Sequence, residues 1–507
     1  MSATLVEKID TPVRSSTWHK HPGMYEINTW VWLGDLSQRY KRKIDLSCVP
    51  PAEWDAIAAF KFDSVWLMGV WVRSPAGVAI ANQNKNLLDD FRRALPDFHT
   101  EDNVGSPYCV RRYVVDQHLG GREGLAIARR ELAQRGMNLI LDFVPNHVAP
   151  DHLWIAEHPE YFIRGNAADI SNDPSSFLDV RGMIYACGRD PYFPAWPDVL
   201  QLNAFDAGLR QAAIETISNI AGQSDGIRCD MAMLFLNAIF ERTWGSRAGR
   251  RPATEYWEDV ISVVKSRHSG FLFIAEAYWD LEWELQQKGF DFCYDKRLYD
   301  RLEHSNAESI RLHLCADLAY QGKLVRFIEN HDEPRAAAAF PSVKGRAAAV
   351  AIATLPGIKL FHEGEFEGRK VRLPVFLGRR PNEPVDEGLR GFYRKLLETT
   401  GREIFREGQW SLCQRTGWSD NASFQNLLTW NWVNEGERYL IAINFSDSPV
   451  QAKVQVTWPD AGGRRWQLVD TFSRAAYERD GDEMASSGLY VELAPWNYHL
   501  FQCQPKK

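Results

Sequence analysis

Residues Met137–His147 read MNLILDFVPNH, a nearly continuous apolar run that closes on Asp142, Pro145, Asn146 and His147. A strand buried on both faces reads this way, whereas a half-solvated strand alternates. The segment before it, Gly124–Gly136, repeats Leu125, Ala128, Leu132 and Ala133 at spacings of three and four, which predicts a helix. A helix feeding a doubly buried strand is the unit of a parallel α/β sheet. Outward from this unit the pattern recurs at Met24–Leu33, Asp63–Met68, Gly226–Cys229, Phe271–Ala275, Phe290–Tyr294, Leu324–Ile328 and Ile358–Phe361, giving eight strands in all. Between them, Leu209, Ala213, Ile214, Ile217 and Ile220 mark a helix face, with Asp206 as its cap. Eight strands interleaved with helices predict a closed (β/α)8 TIM barrel.

Two stretches break the rhythm. Residues 148–196 carry Pro, Asn, Asp and Gly with poor helical patterning, and read as a short insertion after the third strand. From about Gly408 the character changes. Tyr439–Phe445 (YLIAINF), Val450–Trp458 (VQAKVQVTW) and Leu489–Ala494 (LYVELA) favour strands, with turn residues between them. The expected organisation is a barrel over 1–147 and 197–405, the insertion at 148–196, and a C-terminal antiparallel β-sandwich over 406–507.

The composition narrows the function. The chain has 507 residues, 45% hydrophobic and 25% charged, a globular balance. It carries 59 Lys+Arg against 66 Asp+Glu, a net charge of −7, and no basic run beyond pieces such as Lys41-Arg42-Lys43, which argues against nucleic acid as a partner. Met1–Asp10 lacks the basic start and apolar core of a secretory leader, and no apolar stretch is long enough to span a membrane. The eight cysteines are scattered without a C-x-x-C, and are expected to be reduced thiols in a cytoplasmic protein. Aromatic residues reach 12% with 19 Trp, which fits either sugar platforms or a large core. The tail tryptophans 410, 418, 430, 432, 458, 466 and 496 pose the same choice, and core packing is the expected reading.

Polar groups end the apolar runs: Asp142, Asn146 and His147; Arg228 and Asp230; Glu276; and Glu329, Asn330, His331 and Asp332. In a barrel the C-terminal strand ends converge on one face. Several carboxyl groups around one pocket suit glycosidic bond cleavage. One acid protonates the leaving oxygen, and a second carboxylate attacks the anomeric carbon or activates water. No H-x-H or H-E-x-x-H spacing supports a metal-dependent hydrolase.

These segments resemble the α-amylase superfamily, glycoside hydrolase family 13. Its four signature regions are matched in order by DFVPNH (142–147), GIRCD (226–230), the Glu of FIAEAYW (273–279) and ENHDEPR (329–335), and a fifth, weaker one by Pro197–Asn203. Tyr108–Tyr113 and Leu355–Gly364 also resemble the family. The resemblance implies a retaining enzyme acting on α-glucosidic bonds. Asp230 would be the nucleophile, Glu276 the general acid and then base, and Asp332 the group that binds sugar hydroxyls and stabilises the transition state. Tyr108 would stack on the ring being cleaved, His147 and His331 would bond its hydroxyls, and Trp279 would shape the neighbouring subsite. Arg228 would keep Asp230 ionised, Asp142 would orient the site through Arg228, and Phe273, Tyr278 and Trp279 would give Glu276 an apolar surround. Many family members bind calcium at the position of Asn146. Here the run Met231–Phe235 lacks the Lys or His often found after the nucleophile, so no cofactor is expected to be required and a Ca2+ site at Asn146 is doubtful. The expected partner is a small carbohydrate: an α-glucoside, a maltooligosaccharide or a disaccharide. Hydrolysis and glycosyl transfer share the intermediate, so both stay open, as does the oligomeric state. A non-catalytic carbohydrate-binding relative would have lost catalytic acids or carry an anchor, and this sequence shows neither.

Overall fold

The run around Asp142 forms a strand whose last five residues are buried, and both of its neighbours are parallel. In a computed structural model describing residues 18–506, eight such strands close into one barrel. They are β1 (Gly23–Asn28), β2 (Ser64–Met68), β3 (Asn138–Phe143), β4 (Gly226–Cys229), β5 (Leu272–Ala275), β6 (Phe292–Tyr294), β7 (Leu324–Arg326) and β8 (Ile358–His362). They pair in chain order, and β8 closes on β1 through Gly23–Lys359 to Glu26–His362. The leader-free reading of Met1–Asp10 falls outside the described residues. Among those described, no helix is long and apolar enough to cross a membrane.

One expectation needs correction. Met24–Leu33 does not continue as a strand. β1 stops at Asn28, and Thr29–Tyr40 is a helix. The Asn28 side chain accepts from the Val31 N–H at 3.4 Å and caps the first turn. Val31, Trp32, Leu33 and Leu36 then supply the buried face, so a β-prone run folds as a helix because its cap and its burial agree. The helix read at Gly124–Gly136 spans Gly121–Gln134. The helix capped by Asp206 spans Ala207–Ala221, with the Asp206 carboxylate accepting from Leu209 N at 2.8 Å.

Residues after Val148 build an ordered excursion. Strands Phe177–Val180, Met183–Gly188 and Trp196–Gln201 join His147–Val148 in a four-stranded antiparallel sheet. The last of these strands lies beside His147 and so forms a wall over β3.

The tail forms a six-stranded and a three-stranded antiparallel sheet. Most tail tryptophans are core. Trp410, Trp430, Trp432, Trp458 and Trp466 are buried, and only Trp418 is a large exposed hydrophobic. Trp432 Nε1 donates to the Thr354 carbonyl at 2.7 Å and Trp430 Nε1 to the Thr354 hydroxyl at 3.2 Å, which docks the tail on the barrel helix Ser342–Thr354. Truncating either of these two would cost about 3–5 kcal/mol, as for other buried aromatics. All eight cysteines are unpaired.

Candidate active site

A cavity of about 290 Å³ opens at the C-terminal ends of the barrel strands, and Tyr108, His147, Asp230, Glu276 and Asp332 line it. Asp230 directly follows β4 and Glu276 directly follows β5. The turn Glu329–Asp332 follows β7, where Asn330 Oδ1 accepts from the N–H groups of Asp332 and Glu333, each at 2.9 Å. That local cap fixes the direction in which His331 and Asp332 leave the backbone.

Arg228 organises one side. Its guanidinium is fully buried, with Nη1 2.8 Å from Asp230 Oδ1 and Nη2 2.9 Å from Glu276 Oε1. The contact to Asp230 is a well-formed hydrogen bond, whereas Nη2 makes an ion pair without hydrogen-bond alignment. Glu276 also accepts from Tyr278 OH at 2.9 Å and from Met231 N at 2.6 Å. Burial still dominates: it lifts the Glu276 carboxyl to about 7, with Asp230 and Asp332 adding repulsion against the pull of Arg228. Asp230 is raised as well, because burial outweighs Arg228. Arg228, expected to keep Asp230 ionised, does favour the charged form, and desolvation works against it. With the aligned donor on Asp230, the proton of the pair sits better on Glu276.

The opposite side holds Asp332 on His331. His331 Nε2 lies 2.9 Å from Asp332 Oδ2 and 2.7 Å from Tyr108 OH, while Nδ1 faces Glu26 Oε1 at 2.5 Å. Against desolvation, the imidazole draws Asp332 well below the usual carboxylate range. The two flanking carboxylates raise His331, although burial alone would lower it.

Asp142, expected to orient the site through Arg228, is its register partner on the neighbouring strand and feels its charge, without an ion pair between them. Its carboxylate accepts from Trp66 Nε1 at 3.2 Å and from Gly69 N at 3.0 Å, and burial raises it to about 6. Gly69 reaches it with φ +79°, where a Cβ would meet Pro107 at 2.8 Å. Glu276 is not surrounded as expected. Phe273 packs on Phe271 and Phe290, away from the cavity, and Trp279 packs edge-on against Tyr192 with centroids 4.8 Å apart. Tyr278 alone of the three reaches the acid. His147 lines the cavity, packs on Trp196 at 5.2 Å, and burial lowers it to about 3, so it is neutral.

Several cavity groups escape the motif reading: Ser106, Trp196 and Phe376 line it, and Glu26 lies behind His331. Glu26 carried a readable signal, being an acid inside the apolar run of β1. Ser106 and Phe376 carried none.

At Asn146, a candidate calcium position, the oxygens are occupied by the chain itself. The buried Gln201 amide donates to Asn146 O at 3.0 Å, Asn146 Oδ1 at 2.9 Å and Leu202 O at 2.9 Å. Calcium needs six to eight oxygens, and an amide nitrogen at the centre of the three present does not fit it.

No family model matches the chain. Among curated proteins, the α-amylase MalA of Haloarcula japonica is 24% identical over 456 residues, covering 86% of this chain and 57% of MalA. The α-1,4-glucan:maltose-1-phosphate maltosyltransferase 2 of Streptomyces coelicolor is 26% identical over 232 residues, 44% of this chain and 28% of that protein. The chain thus spans little more than half the length of the first relative and about a quarter of the second. Among solved structures, the noncanonic maltogenic α-amylase AmyB of Thermotoga neapolitana superposes with TM-score 0.67 at 17% identity, over 95% of this chain and 98% of that one. The α-amylase of Geobacillus thermoleovorans gives 0.66 at 17%, over 97% and 100%. These structures share the barrel-plus-tail fold. The curated α-amylase relative and the shared fold of the α-amylase structures support a relationship of this chain to the α-amylase superfamily, glycoside hydrolase family 13.

Proposed function

We propose that the chain is a retaining enzyme on α-glucosidic bonds of short α-glucans or disaccharides. Asp230 attacks the anomeric carbon while Glu276 protonates the leaving oxygen. The resulting glycosyl-enzyme is then opened by an acceptor whose proton Glu276 removes. The observation that carries this reading is one buried guanidinium holding both carboxyls, with the proton favoured on Glu276. Two groups on the ends of one guanidinium are close neighbours, which supports the roughly 5–5.5 Å carboxyl spacing of a retaining site over the wider spacing that inversion requires. Asp332, Tyr108, His147 and His331 bind the ring being cleaved. The Gln201 contacts support a reaction that needs no ion at Asn146, and the unpaired cysteines support a cytoplasmic enzyme.

Transfer to a sugar acceptor is the second reading, favoured by exposed aromatic side chains around Trp279, three residues after Glu276. Tyr192 is 57% and Phe193 66% exposed, and Tyr192 is held by Arg242 Nη2 at 2.6 Å and by the edge of Trp279. A substrate panel of sucrose, trehalose, maltose and longer maltooligosaccharides, followed by chromatography and anomeric NMR, tests both readings. Released sugar of α configuration indicates hydrolysis, and longer oligosaccharides indicate transfer. First products of β configuration would refute the double displacement.

A further inference from the structure

Glu26 is fully buried on β1, in register with Trp66 on β2 and His362 on β8. Its Oε1 is 2.5 Å from His331 Nδ1, and its Oε2 has no hydrogen-bond partner. A buried carboxylate with one oxygen unpaired is costly. Here a single strong contact to an imidazole stands against that cost. His331 in turn packs edge-on on Trp66, with centroids 5.5 Å apart, and stacks beside Tyr108 at 5.4 Å. The ring is thus caught between two aromatic walls, and only its two nitrogens reach polar groups.

We propose that Glu26 is a positioning residue: by accepting from His331 Nδ1 it fixes the ring so that Nε2–H points at Asp332 and Tyr108. Which imidazole nitrogen carries a proton is set by what the other one bonds. With Nδ1 bound to a carboxylate, both nitrogens hold protons when the ring is charged, and Nε2 is a donor to the transition-state acid. The groups facing this unit are Asp332, Tyr108, Asp142, Arg228, His362 and Tyr294. Of these, Arg228 and His362 support an ionised Glu26 against desolvation, while Asp332 shares the imidazolium. Glu26 touches no reacting atom. It acts through His331 and so rests on the function proposed above.

The test uses the full chain labelled with ¹⁵N-histidine, the His331 signals being assigned from His331→Gln. The parent should show both His331 nitrogens protonated at about pH 7.5, above the usual histidine midpoint. In Glu26→Gln, which keeps the shape and removes the charge, the His331 midpoint should fall by about one pH unit or more. kcat on a maltooligosaccharide should fall about tenfold or more, with KM moving far less, because ring binding is retained while the transition-state contact is misdirected. Glu26→Asp, which keeps the charge on a shorter arm, should recover part of both changes. A neutral His331 in the parent, or an unchanged His331 midpoint in Glu26→Gln, would overturn the proposal. A parent inactive on every α-glucoside would instead sink the proposed function, and the histidine titration would still decide the role of Glu26.

Discussion

Each side of the cavity sets two carboxyl groups on one cation, and the two sides come out opposite. Arg228 sits between Asp230 and Glu276, and both acids are raised. His331 sits between Glu26 and Asp332, and both acids are lowered. Counting the charges within each trio cannot separate them. The further neighbours can: Asp332 and Asp142 repel Asp230, and Asp230 and Asp332 repel Glu276, whereas Asp332 draws on Arg228 and Arg372 besides His331 against its own desolvation. Glu26 is as buried as Glu276 but gains His362 and Arg228 as further cationic neighbours. One side therefore stores a proton, and the other stores an anion. A reaction that first gives a proton and later stabilises a cationic transition state needs both.

Breaking the proton-storing side should have the largest effect. Asp230→Asn and Glu276→Gln should each lower kcat on maltooligosaccharides by at least about 10³-fold, because the proposed nucleophile and acid would act as one unit. Glu276→Gln should regain much of its first-step rate on an aryl α-glucoside, whose leaving group needs no proton. Asp230→Asn should not. Equal behaviour of the two variants on that substrate would erase the distinction between the acids.

Removing the shared cation comes next. Arg228→Met leaves two buried acids with no guanidinium between them, and should cost about 3–5 kcal/mol of stability in denaturant titration. His331→Gln should cost less, since Asp332 can turn to water. A cost for His331→Gln equal to that for Arg228→Met would show that the exposure of the Asp332 side chain does not make its cation the more dispensable.

The pH dependence follows from the Glu276 shift. Its folded value of about 7 lies above the usual glutamate range, so the folded state binds this proton more tightly than the unfolded chain does. Stability from this group is complete below the unfolded value of about 4.3 and is lost as pH rises through about 7. Activity that needs the protonated acid should fall over the same rise. Glu276→Gln should therefore melt at a higher temperature than the parent at about pH 8, and the gap should close towards pH 5. A gap of the same size at both pH values would contradict a raised Glu276.

How much of this could be read from the chain depends on the kind of signal. The barrel was legible because doubly buried parallel strands leave long apolar runs, and Asp142, Arg228, Asp230, Glu276 and His331 interrupt those runs at their ends. The helix at Thr29–Tyr40 was not, because Trp30-Val31-Trp32-Leu33 suits a strand as well as a helix, and only the Asn28 cap decides. Contacts across the barrel were the least legible. That Asp142 is bonded by Trp66 and Gly69, and that Phe273 packs on Phe271 and Phe290, depends on which strand neighbours which and on how side chains alternate there. Trp66 and Ser106 sit where any apolar or small residue would have read alike.

The back wall extends the comparison to a neutral group and should give the smallest effect of all. Gln201 sets an amide nitrogen among Asn146 O, Asn146 Oδ1 and Leu202 O, so a dipole holds three oxygens together where the side walls use Arg228 and His331. Asn146 Nδ2 in turn lies 3.3 Å from His147 Nδ1, which links this wall to the cavity. A wall tied by its own amide has nothing for a chelator to remove, and excess EDTA should move neither the melting temperature nor kcat of the parent. Gln201→Glu replaces the donor by an acceptor facing three acceptors, and should cost about 1–3 kcal/mol, the usual range for buried polar groups left unpaired. The new carboxylate completes an oxygen-rich set, so added calcium should return part of that loss to the variant and none to the parent. If EDTA destabilises the parent, the amide is no substitute for an ion, and the back wall must be regrouped with the two charged sides.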